Sequence, residues 1–355
     1  MATRPTTHRI QPLASFEQFR DLVSGYQLPR VLLTALELDL FTAIGTRNWT
    51  IPDLAKQLQV SERGLDILCR NLASAGVLQK KGPEYRNGRI AAAALNANSS
   101  EYRRGYLSLI RDHWVNWGKL TESVRTGQPI EDDTPPDDPE YRKEFSWAMH
   151  HRSVDIAPAV AAQIKLGRAS RLLDLGGGPG TYALEFLKRN PKLEATVADR
   201  APALEVAKEL AAKVRHGKRL SYLPLDFLTE DIPGSYDVIW YSNVLHIYSP
   251  EQNQHIFEKM AKALLPGGRV LIQDAFLLDR EGLYPLDANL FAVTMLLFTD
   301  EGNTYSVADT SAWLRRAGFE RIRGIPLKKG TGDWQEGILE AVWPAPRRGS
   351  RGRRS

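Results

Sequence analysis

The stretch Arg171–Pro191, RLLDLGGGPGTYALEFLKRNP, decides how the chain folds. A leucine-rich run leads into a turn containing Gly176, Gly177, Gly178, Pro179 and Gly180, and apolar residues at helical spacing follow. A buried strand that ends in such a turn and opens a helix is the first unit of an open α/β sheet. Sheets of this kind bind ligands beyond the carboxyl ends of their strands. Glycines at 176, 178 and 180 let the backbone approach a ligand that a Cβ would hold off. Turns like this often cradle a phosphate, in the pattern G-x-G-x-x-G. Here the pattern is D-x-G-x-G-x-G, with Asp174 two residues before the first glycine. A carboxylate in that place repels a pyrophosphate and favours an ammonium group or its water shell.

Strand–helix alternation continues outward from this turn. Strands are expected near 171–175, 195–199, 220–225, 236–241, 269–274, 320–326 and 336–342, with helices between the first five. This predicts an α/β fold, a Rossmann-like parallel sheet covered on both faces. The last two strands follow the helix VADTSAWLRRAG with only a loop between them, which suits a terminal antiparallel strand. Two further acids stand at strand ends. Asp199 closes LEATVADR and can take both hydroxyls of a ribose; Asp226 closes LSYLPLDF and can accept from an adenine amine, with Phe227 beside the ring. Three acids and a glycine turn, in order along one sheet edge, describe a site for adenosine with a cationic amino-acid arm. That ligand is S-adenosylmethionine.

The motifs LLDLGGGPG, VADR, PLDF and ALLPGGRVLIQD resemble the landmarks of class I S-adenosylmethionine-dependent methyltransferases. The front half, with LDLF and the helix WVNWGKLTESVRTG, narrows the resemblance to small-molecule O-methyltransferases of the caffeate, acetylserotonin and bacterial polyketide-tailoring type. It covers residues 16 to 343 and implies a seven-stranded sheet, an all-helical winged-helix dimerisation domain at the front, and a homodimer made through that domain. It also implies an acceptor hydroxyl, phenolic or enolic, on a small aromatic or polyketide-like molecule. The resulting division is 1–15 disordered, 16–100 dimerisation domain, 101–166 helical connector contributing to the active site, 167–345 cofactor-binding catalytic domain, and 346–355 a disordered tail.

His246 stands in WYSNVLHIYSP, just past the fourth strand, and so faces the same cleft as the glycine turn. An alcohol or phenol attacks a methyl group better once its proton is removed, and histidine titrates near the working pH. The resemblance gives His246 the role of general base, oriented by Asp274 at the end of RVLIQD. It places Ser242 and Asn243 beside the cofactor, and Ser153 of FSWAMHHRS at the methionine carboxylate. Phe145 and Met149 would flank the methyl and the acceptor, although i, i+4 spacing equally suits a packed helix face. Phe291 and Met295, on the helix ANLFAVTMLLFTDEG, would line the acceptor pocket, whose apolar character suits a flat, poorly charged molecule.

The chain departs from the plant pattern at four places. The second carboxylate is replaced by Thr304, with Glu301 near in sequence; Ile247 and Tyr248 follow the histidine in place of an acid and a tryptophan; a lysine is replaced by Ser242. Some bacterial relatives keep fold and cofactor yet catalyse decarboxylation or hydroxylation, so a non-methylating tailoring reaction stays open. The His150–His151 pair reads as packing or solvated surface, and no acid–histidine cluster has ligand spacing, so no metal is expected.

In the front half, short amphipathic helices run from Phe16 to Leu95, with a break marked by Pro29. Thr50 and Ser61 are helix caps and Gly76 a left-handed terminus; GVLQKKGPEYRNG reads as a hairpin. Helix, helix and hairpin are also the outline of a DNA reader. The second helix, SERGLDILCRNLASAG, sets Arg63 and Arg70 against Glu62 and Asp66. Phosphate contacts dominate duplex affinity, so nucleic acid is not the expected partner. The net charge of +5 resides in the tail: Arg347, Arg348, Arg351, Arg353 and Arg354 supply five charges, and 5 − 5 leaves the rest near zero. One cysteine, Cys69, excludes an internal disulfide. No apolar run spans a bilayer and the start lacks a secretory h-region, although it carries no acid before Glu17 and a transit peptide stays open. A cytoplasmic setting without membrane contact is expected. The aromatics Tyr102, Tyr106, Trp114, Trp117, Tyr141, Phe145 and Trp147 are expected in helix packing.

Overall fold

A computed structural model describes residues 12–131, 138–279, 281–327 and 337–345. Of the disorder expected at 1–15 and 346–355, residues 1–11 and 346–355, with all five tail arginines, lie outside the described residues, as does part of the acidic loop; residues 12–15 are described, and the Ser15 hydroxyl accepts from Gln18 N–H. The chain divides into two compact units, with the boundary between Trp114 and Val115.

The front unit begins with α1 (Phe16–Ser24) and α2 (Gln27–Glu37). The break falls at Gly25–Tyr26, not at Pro29, which lies in the first turn of α2, where a missing N–H costs nothing. Then come α3 (Leu40–Ile44), β1 (Trp49–Thr50), α4 (Ile51–Leu58), α5 (Glu62–Ser74), β2 (Leu78–Lys81) and β3 (Glu84–Asn87). The Thr50 hydroxyl caps α4 by accepting from Asp53 N–H, the Ser61 hydroxyl caps α5 by accepting from Gly64 N–H, and Gly76 takes φ +76 beyond α5. The unit is not all-helical: β1 pairs with β3 beside the β2–β3 hairpin, giving a three-stranded sheet. On α5, Arg70 is held by Asp66 at 3.1 Å, which removes much of what that helix could offer a phosphate. Leu40, Phe41, Ile44, Leu54, Leu65, Cys69 and Leu72 form the core. Burial pushes the Cys69 thiol up to about 12. Helix α1 buries none of its own side chains in the chain.

Helix α6 (Arg104–Trp117) runs across the boundary and is followed by α7 (Leu120–Thr126), α8 (Pro139–Ser153) and α9 (Ala157–Gln163). The expected aromatic packing is only partial. Tyr106, Trp114, Tyr141 and Phe145 are exposed, and Tyr141 and Phe145 stack on each other with centroids 6.4 Å apart. The sheet follows: β4 (Arg171–Leu175), α10 (Thr181–Arg189), β5 (Glu194–Asp199), α11 (Ala201–Ala212), β6 (Leu220–Pro224), β7 (Tyr236–Ser242), α12 (Pro250–Ala263), β8 (Leu264–Gln273), α13 (Leu286–Phe298), α14 (Val307–Arg316), β9 (Glu320–Ile325) and β10 (Ile338–Val342). The expected helix between β6 and β7 is absent; residues 225–235 form a loop that includes Pro233 and Gly234, both hostile to helix.

The strand order is β6-β5-β4-β7-β8-β10-β9. The first five are parallel, and β10 enters antiparallel between β8 and β9. Alternate residues of each central strand feed two cores. Leu172, Val238, Trp240 and Leu271 pack with Tyr182 and Phe186 of α10 and Val160 of α9. Leu173, Ile239, Tyr241 and Ile272 pack with Ile256, Phe257 and Met260 of α12 and Trp313 of α14. This period-two division is what a sheet buried on both faces requires. The order reverses between β5 and β7, on either side of β4, so the crevice forms at the carboxyl ends of β4 and β7.

Candidate active site

The glycine turn leaves β4 at that reversal. Gly176 has φ +70, and a Cβ there would lie 2.7 Å from Val244 and 3.6 Å from Phe227. Gly178 has φ +47, and its N–H donates to Asp199 Oδ2 at 2.8 Å. The other oxygen of Asp199 accepts from Arg200 N–H at 2.7 Å. Each oxygen keeps a lone pair, so the carboxylate is fixed in place and still able to accept from a vicinal diol. Burial raises the Asp199 carboxyl, while the Arg200 and Gly178 N–H groups oppose the rise.

Asp174 is buried at the end of β4 and is pushed up to about 7, first by burial and further by the charge of Asp199, against an N–H bond from Ala183. The sequence reading missed Gly177. A Cβ at that position would lie 2.5 Å from the Asp174 carboxyl carbon, so this glycine makes the room in which the acid sits. The signal was the unbroken run of three glycines.

Asp226 lies two residues beyond β6, partly exposed, with Oδ1 accepting from Leu228 N–H at 3.1 Å. Phe227 is buried and meets Tyr248 edge to face, centroids 5.8 Å apart. Tyr248 thus extends the aromatic wall, and burial pushes its hydroxyl up to about 12. Ser242 ends β7; Asn243 follows at φ +56 and donates to the Ser242 hydroxyl at 3.1 Å. These residues fit S-adenosylmethionine: a cradle that a Cβ would fill, a fixed carboxylate for the ribose, and acid rather than base where the amino-acid arm would lie.

His246 sits in a 3-10 turn, Leu245–Ile247, just after β7, and is buried. Its Nδ1 bonds Asp274 Oδ1 at 2.7 Å. Asp274, one residue beyond β8, also accepts from Val244 N–H at 3.1 Å and from Ala275 N–H at 2.7 Å. A carboxylate so placed accepts from Nδ1–H and leaves the Nε2 lone pair as the basic site. Phe291 of α13 meets the imidazole edge to face, centroids 4.7 Å apart, and the Arg152 guanidinium of α8 lies over the Phe291 ring, 5.7 Å from its centroid. Thr304 is buried with its hydroxyl unpartnered, and Glu301 is exposed, so Asp274 is the acid at the imidazole.

Helix α8 lies over α11 and the start of α10, held by Lys143–Glu209 at 2.8 Å and by His150 Nδ1 to the Thr181 hydroxyl at 2.9 Å. The His150–His151 pair packs against Trp147, in keeping with its reading as packing. Ser153 is buried at the end of this helix and Met149 is half-buried, while Phe145 is exposed and faces Tyr141. Met295 is buried one turn beyond Phe291. The structure therefore brings His246, Asp274 and Phe291 together, and gathers Asp174, Gly176, Gly178 and Asp199 around the turn. It puts Phe145 in neither group.

The glycine turn, the acids at strand ends and the sheet order together define a class I methyltransferase. Residues 127–320 match the model of the O-methyltransferase domain, and residues 20–97 match that of the O-methyltransferase dimerisation domain. The chain is 30% identical over 311 residues to 3-hydroxy-5-methyl-1-naphthoate 3-O-methyltransferase of Streptomyces sahachiroi, covering 86% of this chain and 90% of that one. It is 29% identical to the tetracenomycin polyketide synthesis 8-O-methyl transferase TcmO of Streptomyces glaucescens, over 85% of this chain and 91% of the relative. Human N-acetylserotonin methyltransferase, solved with S-adenosylmethionine, shares the fold with a TM-score of 0.80 at 22% identity, covering 95% of this chain and 100% of that one. The chain belongs to the O-methyltransferase family. Its cofactor is S-adenosylmethionine and its reaction O-methylation; methyl transfer is favoured over a non-methylating tailoring reaction.

Proposed function

We propose that the acceptor is a phenolic or enolic hydroxyl on a small, flat aromatic or polyketide-like molecule, and that His246 is the general base. The observation that carries this is the buried His246–Asp274 pair beside the Phe291 ring. Asp174, Gly176, Gly178, Asp199, Asp226, Phe227, Ser242 and Asn243 hold the cofactor, with Ser153 at its carboxylate. When bound, the cofactor supplies an electrophilic sulfonium methyl. Asp274 holds the imidazole through Nδ1, so Nε2 takes the hydroxyl proton as the acceptor oxygen becomes nucleophilic. Phe291 and Met295, with Met149 from the helical segment 101–166, line the acceptor side; Phe145, exposed against Tyr141, is not among them. Alignment of the oxygen supplies much of the rate. The names of the two Streptomyces relatives support the substrate class.

The winged-helix front domain pairs two chains in a homodimer, in a cytoplasmic, secondary-metabolic setting. The match to a dimerisation domain supports the pairing of two chains, as do Phe16, Phe19, Leu22 and Val23 of α1, which are exposed in the single chain.

The test is incubation with S-adenosylmethionine and a panel of phenols and hydroxynaphthoates. Methyl ether and adenosylhomocysteine form in equal amounts. His246→Gln lowers kcat by ~10²-fold, less for more acidic phenols that ionise unaided. Equal rates for variant and wild type would remove His246 as base; no turnover across the panel would remove the acceptor class.

A further inference from the structure

Helix α12 carries two buried polar side chains that face different halves of the site. Asn253 is fully buried, and its Nδ2 donates to the carbonyls of Leu245 and Tyr248, each at 2.9 Å, and of Ser249 at 3.1 Å. Those carbonyls bracket His246. Lys259 is 3% exposed, and its Nζ donates to the carbonyls of Phe227 at 3.1 Å, Leu228 at 2.9 Å and Glu230 at 2.8 Å. Those belong to the loop that carries Asp226 and Phe227, the connection in which no helix forms.

A buried ammonium is costly unless its donors are met, and here all three donors have carbonyl partners. Three carbonyls share the two N–H bonds of the Asn253 amide and fix its orientation, because only the NH₂ end can donate; its Oδ1 is left buried without a partner. The two residues are six apart, about 9 Å along the helix axis. The apolar face of α12, with Ile256, Phe257 and Met260, is locked into the sheet core, so both polar contacts are made from a rigid element.

We propose that Asn253 and Lys259 are positioning residues with separate tasks: Asn253 sets the backbone of the His246 turn, and Lys259 sets the loop that presents Asp226 and Phe227 to the adenine side of the cofactor. This rests on the assignment of His246 as base and of Asp226 and Phe227 as cofactor contacts. Each residue therefore governs a different measurable quantity.

The test uses the full chain, with adenosylhomocysteine as the binding probe and the imidazole NMR signal of His246, assigned by its loss in His246→Gln. Lys259→Met raises the Kd for adenosylhomocysteine by ~10-fold and leaves the His246 signal in place. Asn253→Leu displaces the His246 signal and leaves Kd within about threefold. Lys259→Arg, which keeps the charge, restores most of the affinity. Both variants moving both quantities alike, or neither moving its own, overturns the proposal. If these variants do not fold, Lys259→Gln and Asn253→Ser repeat the measurement; failure of all four to fold shows a purely structural role and overturns it as well. Asp226→Ala and Phe227→Ala report on the underlying assignment. If neither weakens adenosylhomocysteine binding, the assignment fails independently of what α12 does to the loop.

Discussion

With the cofactor's amino-acid arm beside Asp174, as proposed, a single proton on this carboxyl links the pH of the solution to cofactor binding. The carboxyl sits at about 7 in the folded chain against an ordinary 3.8. Between those values the folded chain keeps a proton that the unfolded chain has released, so the Asp174 contribution to stability falls as pH rises from about 4 to about 7 and is level above. A cationic arm beside this acid favours the ionised form. Binding of adenosylhomocysteine at pH 6 therefore releases a proton, and affinity rises by up to ~tenfold per pH unit until about pH 7. Calorimetry at pH 6 in two buffers of different ionisation heat gives different apparent enthalpies; at pH 8 the gap closes, and Asp174→Asn abolishes it. Identical heats at pH 6 would mean that no ammonium group meets this carboxyl.

Elements differ in how openly the sequence declares them. The β4 strand, the glycine turn and α10 were legible because a strand that is buried on both faces, a turn that needs positive φ and an amphipathic helix each have a distinct residue pattern. Asp199 and His246 were legible because position after a strand fixes direction toward the crevice. The Asn253 and Lys259 contacts were not, since NQHIFEKM reads as an ordinary helix with a polar face, and only the neighbouring loops show which polar residues point inward. Gly177 was missed for a similar reason: its importance lies in the space it leaves for Asp174. Glu340 is another such case. It is buried in β10, yet holds Arg269 of β8 at 2.6 Å and Arg323 of β9 at 2.5 Å. Arg323 is 68% exposed and stays solvated without its partner, so Glu340→Ala strands chiefly Arg269 and lowers stability by about 1–2 kcal/mol. Urea unfolding measures this, and a change under about 0.5 kcal/mol would show Arg269 to be solvated as well.

At the scale of the molecule, a catalytic sheet is joined to a unit whose family match is to dimerisation, and among the described residues no helix is long and apolar enough to cross a membrane. The buried Cys69 gives this architecture a practical property. Thiolate is the reactive species, and a thiol at about 12 has almost none at neutral pH. Ellman's reagent detects no sulfhydryl in the native chain and one after urea. With the native sulfhydryl silent, Arg20→Cys on α1 gives each chain one maleimide-reactive handle. Spin or fluorescent labels placed there report the spacing between two copies without any need to remove a native residue first.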